Sequence, residues 1–473
     1  MKIRFGLVLI TALGLGACAG GASSGGSSAP SPAALEGGHT LQQGERPRQD
    51  EDTRAAQRAL DQAQGTEDEA QAETLYAQAL TSARAAIAAD STNPLAYRLA
   101  GEAAIGAGEY EQADQYLDRA EALRPIYMIE TEGIREQAWL NLYNQAAPLV
   151  QQGDYEGAAN IFEKANAIYD QRPEVMITLG QIYAQLREHD KALANLDKAD
   201  SIIHSEKINE VDSATAANWR ESAAQIPLTK ATVLADAGRF EEAATLFRQL
   251  VAENPDDVEL SRNLAAILIQ MGNTQEAFQV YDNLLNRPGL TSADLYNIGV
   301  GFYQGEDYTR AAQAFRKAAD VSPKDRDAIE MWTRSLQIDS AYAQVPPAAE
   351  RWIELDPNNQ NAYLILAQAV NHEGDSKRAS DLVNQIEALK VLVADLQLNR
   401  TRDGVTATGS VLNKQLDPGA SVTLNFTFYD TNGNQVTTAS KTVTVGAVDA
   451  PVSFEVDATG DGIAGYGYTL QEG

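Results

Sequence analysis

From about residue 52 to about residue 389 the apolar positions recur at helical spacing on an alanine-, leucine- and glutamine-rich background. After about Lys390 the spacing falls to two. Val405, Ala407, Gly409 and Val411 alternate with Thr406, Thr408 and Ser410, and Val422, Leu424, Phe426 and Phe428 alternate with Thr423, Asn425 and Thr427. The first pattern predicts a long series of helices and the second predicts strands. Further strands are expected around residues 436–445, 452–456 and 466–470, separated by turn signals at Asp417-Pro418-Gly419, Asn432-Gly433 and Asp461-Gly462. Six or seven short strands in about 80 residues imply a small antiparallel sandwich.

The helical stretch repeats itself. Ala113, Ala158, Ala192, Ala243, Ala277 and Ala311 each follow a glycine- or polar-marked turn and precede a bulky residue four positions on, and several steps fall at a period of 34. The clearest copy, residues 292–323, carries Leu295, Ile298, Gly299 and Phe302 on a first helix, Tyr308 after a turn, Ala311, Phe315 and Ala318 on a second helix, and closes on Pro323. Gly299 and Ala311 let two helices approach closely, while Phe302 and Phe315 fill the space around that contact.

On these residues the stretch resembles the tetratricopeptide repeat. The resemblance implies an α-solenoid of helical hairpins, about eight repeats with the first degenerate, followed by the small antiparallel β-sandwich. Copies recur with Gly101, Ala113 and Leu117, with Gly180, Ala192 and Leu196, and with Tyr363, Leu366, Ala379 and Ile386. The period lengthens around residues 126–137 and more strongly around 201–222, which predicts a longer helix or loop at one edge. In the copy at residues 326–357, Pro346-Pro347 stand at the expected start of the second helix, so that helix should start late.

Residues 1–17 read as an export signal, with Lys2 and Arg4 ahead of an apolar run and small residues before Cys18. Leu15-Gly16-Ala17-Cys18 resembles the lipobox of bacterial lipoproteins, which implies acylation of Cys18, the lone cysteine. The alternative is an ordinary cleaved signal with a chance cysteine. Ala19 follows where enteric inner-membrane lipoproteins tend to carry aspartate, so the resemblance implies the outer membrane, facing the periplasm or exposed at the surface. Residues 18–50, rich in glycine, serine and proline, read as the lipidated cysteine and a flexible tether with a reach on the order of 30 Å. The expected division is therefore signal 1–17, tether 18–50, solenoid 51–389 and sandwich 390–473.

The formal net charge is −29. Nucleic acid is excluded as an expected partner, and membrane attachment would rest on acyl chains and not on a basic patch.

The tail also resembles the FxLYD family of bacterial surface and envelope domains. The likeness rests on residues 409–413, on Phe426-Thr427-Phe428-Tyr429-Asp430 with Gly433 following, and on residues 453–456; Phe428 stands where the family has leucine.

No catalytic or cofactor-binding constellation emerges. The literal Gly21-Ala22-Ser23-Ser24-Gly25 lies in the tether, away from any strand and helix that a nucleophile elbow needs. His39, His189, His204 and His372 share no metal-ligand spacing. Asp430-Thr431-Asn432-Gly433-Asn434 and residues 457–462 are similar to calcium loops in their first positions, but the first lacks the mid-loop glycine and the second has Tyr468 at its closing position; hairpin turns account for both, with a weak calcium site of another kind as the alternative. No enzyme, metal or cofactor is expected.

The remaining signal is a second stripe, Tyr296, Val300 and Tyr303, on the first helix of the clearest copy. In the tetratricopeptide family this inner side commonly grips a partner peptide, so these three are the candidate partner-binding residues; the alternative is that a neighbouring helix or the sandwich covers them. Paired lysines and asparagines, which clamp a carboxylate terminus in some members, are not present at the inner positions. The expected function is a lipid-anchored envelope scaffold or docking factor that holds protein or peptide partners. The alternative is a glycan- or nutrient-binding surface lipoprotein, which exposed aromatic platforms at Tyr429, Tyr466 or Tyr468 would favour.

Overall fold

The computed structural model describes residues 42–472. The expected export signal, Cys18 and most of the expected tether lie outside the described residues. The chain packs as two compact units that divide between Ala243 and Ala244.

The first unit holds α1 (Glu51–Gly65), α2 (Glu69–Ala89), α3 (Pro94–Gly106), α4 (Tyr110–Leu123), α5 (Met128–Gln152), α6 (Tyr155–Ile168), α7 (Pro173–Gln185), α8 (His189–Ile203) and α9 (Ser213–Asp236), and α10 (Phe240–Glu253) spans the division. The second unit holds α11 (Val258–Gln270), α12 (Thr274–Leu285), α13 (Ser292–Gln304), α14 (Tyr308–Val321), α15 (Arg326–Ile338), α16 (Val345–Leu355), α17 (Gln360–His372) and α18 (Ser376–Ala388). It continues into β1 (Val391–Arg400), β2 (Gly404–Asn413), β3 (Ser421–Tyr429), β4 (Gln435–Thr444), β5 (Pro451–Thr459) and β6 (Gly465–Glu472). Among the described residues, then, a run of paired helices is followed by an antiparallel β domain, the architecture the two periodicities predict.

Acidic side chains start many of these helices. Asp50, Asp68, Asp154, Asp212, Asp257, Asp307, Asp325 and Asp375 each accept a backbone N–H in the first turn. A carboxylate there satisfies an orphan donor and faces the positive end of the helix dipole, so part of the acidic excess is spent on helix starts. Ala113, Ala158, Ala192, Ala243, Ala277 and Ala311 are all fully buried. Opposite them the glycines are sterically required: a Cβ on Gly180 or Gly299 would come within 2.7 Å of Leu196 or Phe315, respectively.

Both breaks in the period are folded. In the first, α5 runs for 25 residues and buries Arg135 against Asp114, Asp118 and Glu121. In the second, a short 3₁₀ turn over Glu206–Asn209 leads into α9, whose Trp219 packs with Met176, Leu196 and Ile226 and donates its indole N–H to Glu174 at 2.9 Å. The displaced helix is α16, which begins at Val345 with both prolines in its first turn.

The expected tether, residues 18–50, is too long at its C-terminal end, because residues 43–48 are already held by the first unit. Glu45 N–H donates to the Leu123 carbonyl at 2.8 Å, Arg124 donates to the Gln43 carbonyl at 2.9 Å, and Arg48 exchanges two hydrogen bonds with Asn93. Gly44 sits in a left-handed conformation against Leu123 and Arg124, where no side chain fits.

The β domain is a sandwich of two three-stranded sheets, in the orders β1-β2-β5 and β4-β3-β6. Val405, Ala407, Val411, Phe454 and Val456 from one sheet meet Val422, Leu424, Phe426, Phe428 and Tyr468 from the other. The edge strand β4 pairs Lys441 with Leu424 and leaves the lysine exposed. A charge on an edge strand discourages edge-to-edge pairing with another chain. At the β3–β4 hairpin the Asp430 carboxylate accepts the N–H groups of Asn432 and Asn434, which gives it a turn-closing role.

Candidate functional site

In the second unit the first helices of the pairs, α11, α13, α15 and α17, are placed at an unbroken period of 34. That period puts Arg262, Tyr296, Glu330 and Leu364 at one equivalent position and Ala266, Val300, Arg334 and Gln368 at another. Neighbouring members of the layer touch; Gln337 on α15 donates to Gln368 on α17 at 2.8 Å.

Tyr296, Val300 and Tyr303 are all half-buried. The Tyr296 ring stands edge-on to Phe315 at 5.3 Å, and the Tyr303 ring edge-on to Tyr308 at 5.2 Å. Desolvation, helped by Asp327 and Asp325, pushes the Tyr296 phenol well above its ordinary range. Packing within the chain thus uses part of the surface that made this stripe conspicuous. The large apolar side chains most open to solvent in this layer are Ile338 on α15, 45% exposed, and Leu364 on α17, 41% exposed. Leu364 stands among the mixed inner positions in the sequence. Ile338 is not conspicuous there, although the period could have found it, because it lies 34 residues after Gln304.

Beside this layer the sandwich is fastened to the turns before α15 and α17. Tyr466 donates its N–H to the Lys324 carbonyl at 3.0 Å and its hydroxyl to Asp327 at 2.8 Å. The Tyr468 hydroxyl donates to Asp356 at 2.8 Å and accepts the Asn358 N–H at 3.1 Å. On the other sheet, Val393 N–H donates to the Asn358 carbonyl at 3.0 Å, and Asn358 Nδ2 donates to the Val391 carbonyl at 3.0 Å. Both edge strands on this side, β1 and β6, therefore have backbone groups satisfied by the repeats.

Arg326 sits at the centre, 3% exposed, and Asp356 is fully buried. The guanidinium contacts Asp356 Oδ2 through Nη2 at 2.7 Å and Nε at 3.1 Å, Glu330 at 2.5 Å, Asp327 at 2.9 Å and the Leu396 carbonyl at 3.3 Å. Desolvation pulls the guanidinium pKa down, but Tyr466 and the three carboxylates outweigh it and hold the charge firmly. Burial pushes the Tyr466 and Tyr468 phenols far up, so both stay neutral donors. Desolvation also raises the Asp327 carboxyl, and raises the nearby Asp325 carboxyl to about 6.

This node corrects the reading of Tyr466 and Tyr468 as open aromatic platforms. They are 1% and 4% exposed and pinned by their hydroxyls. Tyr429 is half-buried, with the Lys324 ammonium 5.9 Å from its ring centre. Among the described residues no group of three or more His, Cys, Asp or Glu side chains is placed to hold a metal ion, and no helix is long and apolar enough to cross a membrane.

A family model described as the tetratricopeptide repeat matches residues 149–205 and 234–289. The chain carries tetratricopeptide repeats. A human protein, protein O-mannosyl-transferase TMTC1, is 24% identical over 237 residues, covering 47% of this chain. The chain spans about a quarter of that protein's length, with 24% of it matched. Among solved structures, the C-terminal part of a tetratricopeptide repeat-containing protein from Cytophaga hutchinsonii is 19% identical, with 52% of this chain and 95% of that chain covered at a TM-score of 0.40. A tetratricopeptide repeat protein from Parabacteroides merdae is 19% identical, with 60% and 99% covered at a TM-score of 0.27. The tetratricopeptide fold supports a protein-binding scaffold, and the α13–α15–α17 layer is its candidate face in the second unit.

Proposed function

We propose that this protein is a lipid-anchored scaffold of the bacterial cell envelope, which docks partner proteins on the first-helix layer of its second unit. The observation that carries the reading is the pair Ile338 and Leu364, large apolar side chains left open on the layer that also presents Tyr296, Val300 and Tyr303. Burial of such side chains drives protein association, and the half-open tyrosines add contact area with little conformational cost. The anchor and the outer-membrane location rest on residues 1–19 alone: Cys18 would carry the lipid and the tether would stand the repeats off the membrane. The FxLYD-like reading of the sandwich belongs to the same proposal, as a module fixed against the last repeats. The glycan-binding alternative loses its main support, since Tyr466 and Tyr468 are buried. No catalytic step is part of the reading.

Two experiments test it. Quantitative affinity capture from native membranes should recover a defined set of proteins with the wild type and lose it with an Ile338→Glu/Leu364→Glu pair of equal thermal stability; unchanged recovery would refute the docking face. Metabolic labelling with a fatty-acid probe should tag the wild type and not Cys18→Ala, and labelling of both or of neither would refute the anchor.

A further inference from the structure

The first unit contains a cavity of about 360 Å³ whose walls come from α1, α3 and the residue before α1's N-cap. Arg54 and Arg58 on α1 and Arg98 on α3 line it, together with Gln49, Gln57 and Leu99, and no aspartate or glutamate is part of the lining. In a chain of formal net charge −29 this is an unusual place.

The charge of Arg54 and Arg58 is not neutralised from within. Among the described residues neither Arg54 nor Arg58 has a carboxylate within the 4.0 Å of an ion pair; Arg58 donates only to the Arg54 carbonyl, at 3.2 Å. Arg98 is already paired with Glu102 and, through Nε at 4.0 Å, with Glu130, although that Nε makes no hydrogen bond. The two unpaired guanidinium groups, one turn apart on α1, repel each other, and an entering anion relieves that repulsion. The walls are held in place beforehand. Arg48 is locked to Asn93 by two hydrogen bonds and to Asp90 at 2.7 Å, which fixes Gln49 beside it, and Asp50 and Thr53 form a capping box that sets the start of α1.

The lining chemistry selects among anions. An arginine fork matches a carboxylate with two parallel hydrogen bonds. Gln49 presents a donor and an acceptor together, and Gln57, whose Nε2 donates to Asp61 at 2.9 Å, keeps its amide oxygen as an acceptor; the set complements a peptide backbone, whereas a simple anion would use donors alone. Leu99 supplies an apolar wall for the methylene stem of a side chain. The volume falls at the small end of ligand pockets, which run from roughly 300 to 1,000 Å³.

We infer that this cavity binds the side-chain carboxylate of an acidic peptide segment. Its residues are separate from those of the proposed docking layer, so the two sites fail or stand independently. The test is fluorescence anisotropy on the full chain with a labelled glutamate-containing peptide, acetylated and amidated so that no terminal carboxylate is present. Binding should weaken about tenfold or more when glutamine replaces the peptide's glutamates, and by a similar factor in Arg54→Gln/Arg58→Gln. Arg46→Gln, outside the cavity, should leave it unchanged. Thermal melts should be the same for all three proteins, because the substituted side chains are exposed. The inference is overturned if the glutamine peptide binds as well, if the double variant binds normally, or if free acetate or inorganic phosphate competes at the concentration of the peptide, which would mark a simple anion site.

Discussion

Replacing Tyr468 with phenylalanine removes one oxygen from the seam between the sandwich and the last repeats and leaves the ring in the core. That oxygen donates to the fully buried Asp356 at 2.8 Å and accepts the Asn358 N–H at 3.1 Å. A hydrogen bond to a charged group contributes roughly 1.5–3 kcal/mol, and a buried donor left without a partner costs roughly 1–3 kcal/mol. Both effects come from the same atom and local relaxation recovers part of them, so the expected loss is about 2–4 kcal/mol. It should fall on the elements that meet at the seam. Hydrogen exchange read peptide by peptide is the suitable assay, because opening free energy converts directly into exchange rate. Amides of β6 and of the first half of β1 should exchange roughly thirty- to several-hundred-fold faster. Tyr429→Phe serves as the control: it is also a sandwich tyrosine, it lies outside the buried node, and it should shift stability by no more than about 0.5 kcal/mol. If Tyr468→Phe changes β1 and β6 no more than Tyr429→Phe does, the fastening role of the node is wrong.

Asp325 gives a pH dependence of definite sign. Its carboxyl titrates at about 6 in the folded chain against 3.8 for a free side chain, so between these values the folded state binds more protons. Its contribution therefore favours the fold on the acid side and is lost as pH rises through about 6. Asp325→Asn should consequently gain in melting temperature relative to the wild type between pH 4 and pH 7, and a constant difference would contradict the assignment. Gly299→Ala should destabilise: the added Cβ meets Phe315 at 2.7 Å, and overpacking of roughly 1–3 kcal/mol exceeds the roughly 1 kcal/mol gained in helix propensity. A denaturation midpoint at or above that of the wild type would show that α13 and α14 have room to separate.

Much of the fold was legible because its signals are local. Six buried alanines recur, three of the five steps between them at 34 residues, and Pro346-Pro347 mark the late start of α16 in the sequence itself. Strand β1 does not stand out in the sequence, for a physical reason. Val391, Leu392 and Val393 are all buried, since the repeats cover the face that would otherwise be wet, and a bulge at Asp395 with φ of 53° breaks the alternation further on. The node was illegible for another reason: Tyr468 meets Asp356 across 112 residues, and no periodicity encodes such a pairing. Tyr466 and Tyr468 look the same in sequence whether they face solvent or a carboxylate. The candidate partner-binding stripe was partly legible. Tyr296, Val300 and Tyr303 stand on the expected helix, but the openness of Ile338 and Leu364 depends on what surrounds them.

The central claim, that partners dock on the first-helix layer of the second unit, is tested most directly by placing a photo-crosslinking amino acid at Ile338, at Leu364 and at Val383 in intact cells. Val383 is comparably exposed, 40%, but lies on α18, the second helix of its pair. The account predicts the same discrete protein adducts from positions 338 and 364 and none of them from 383. Adducts that are equal at all three positions, or absent from the first two, would contradict it.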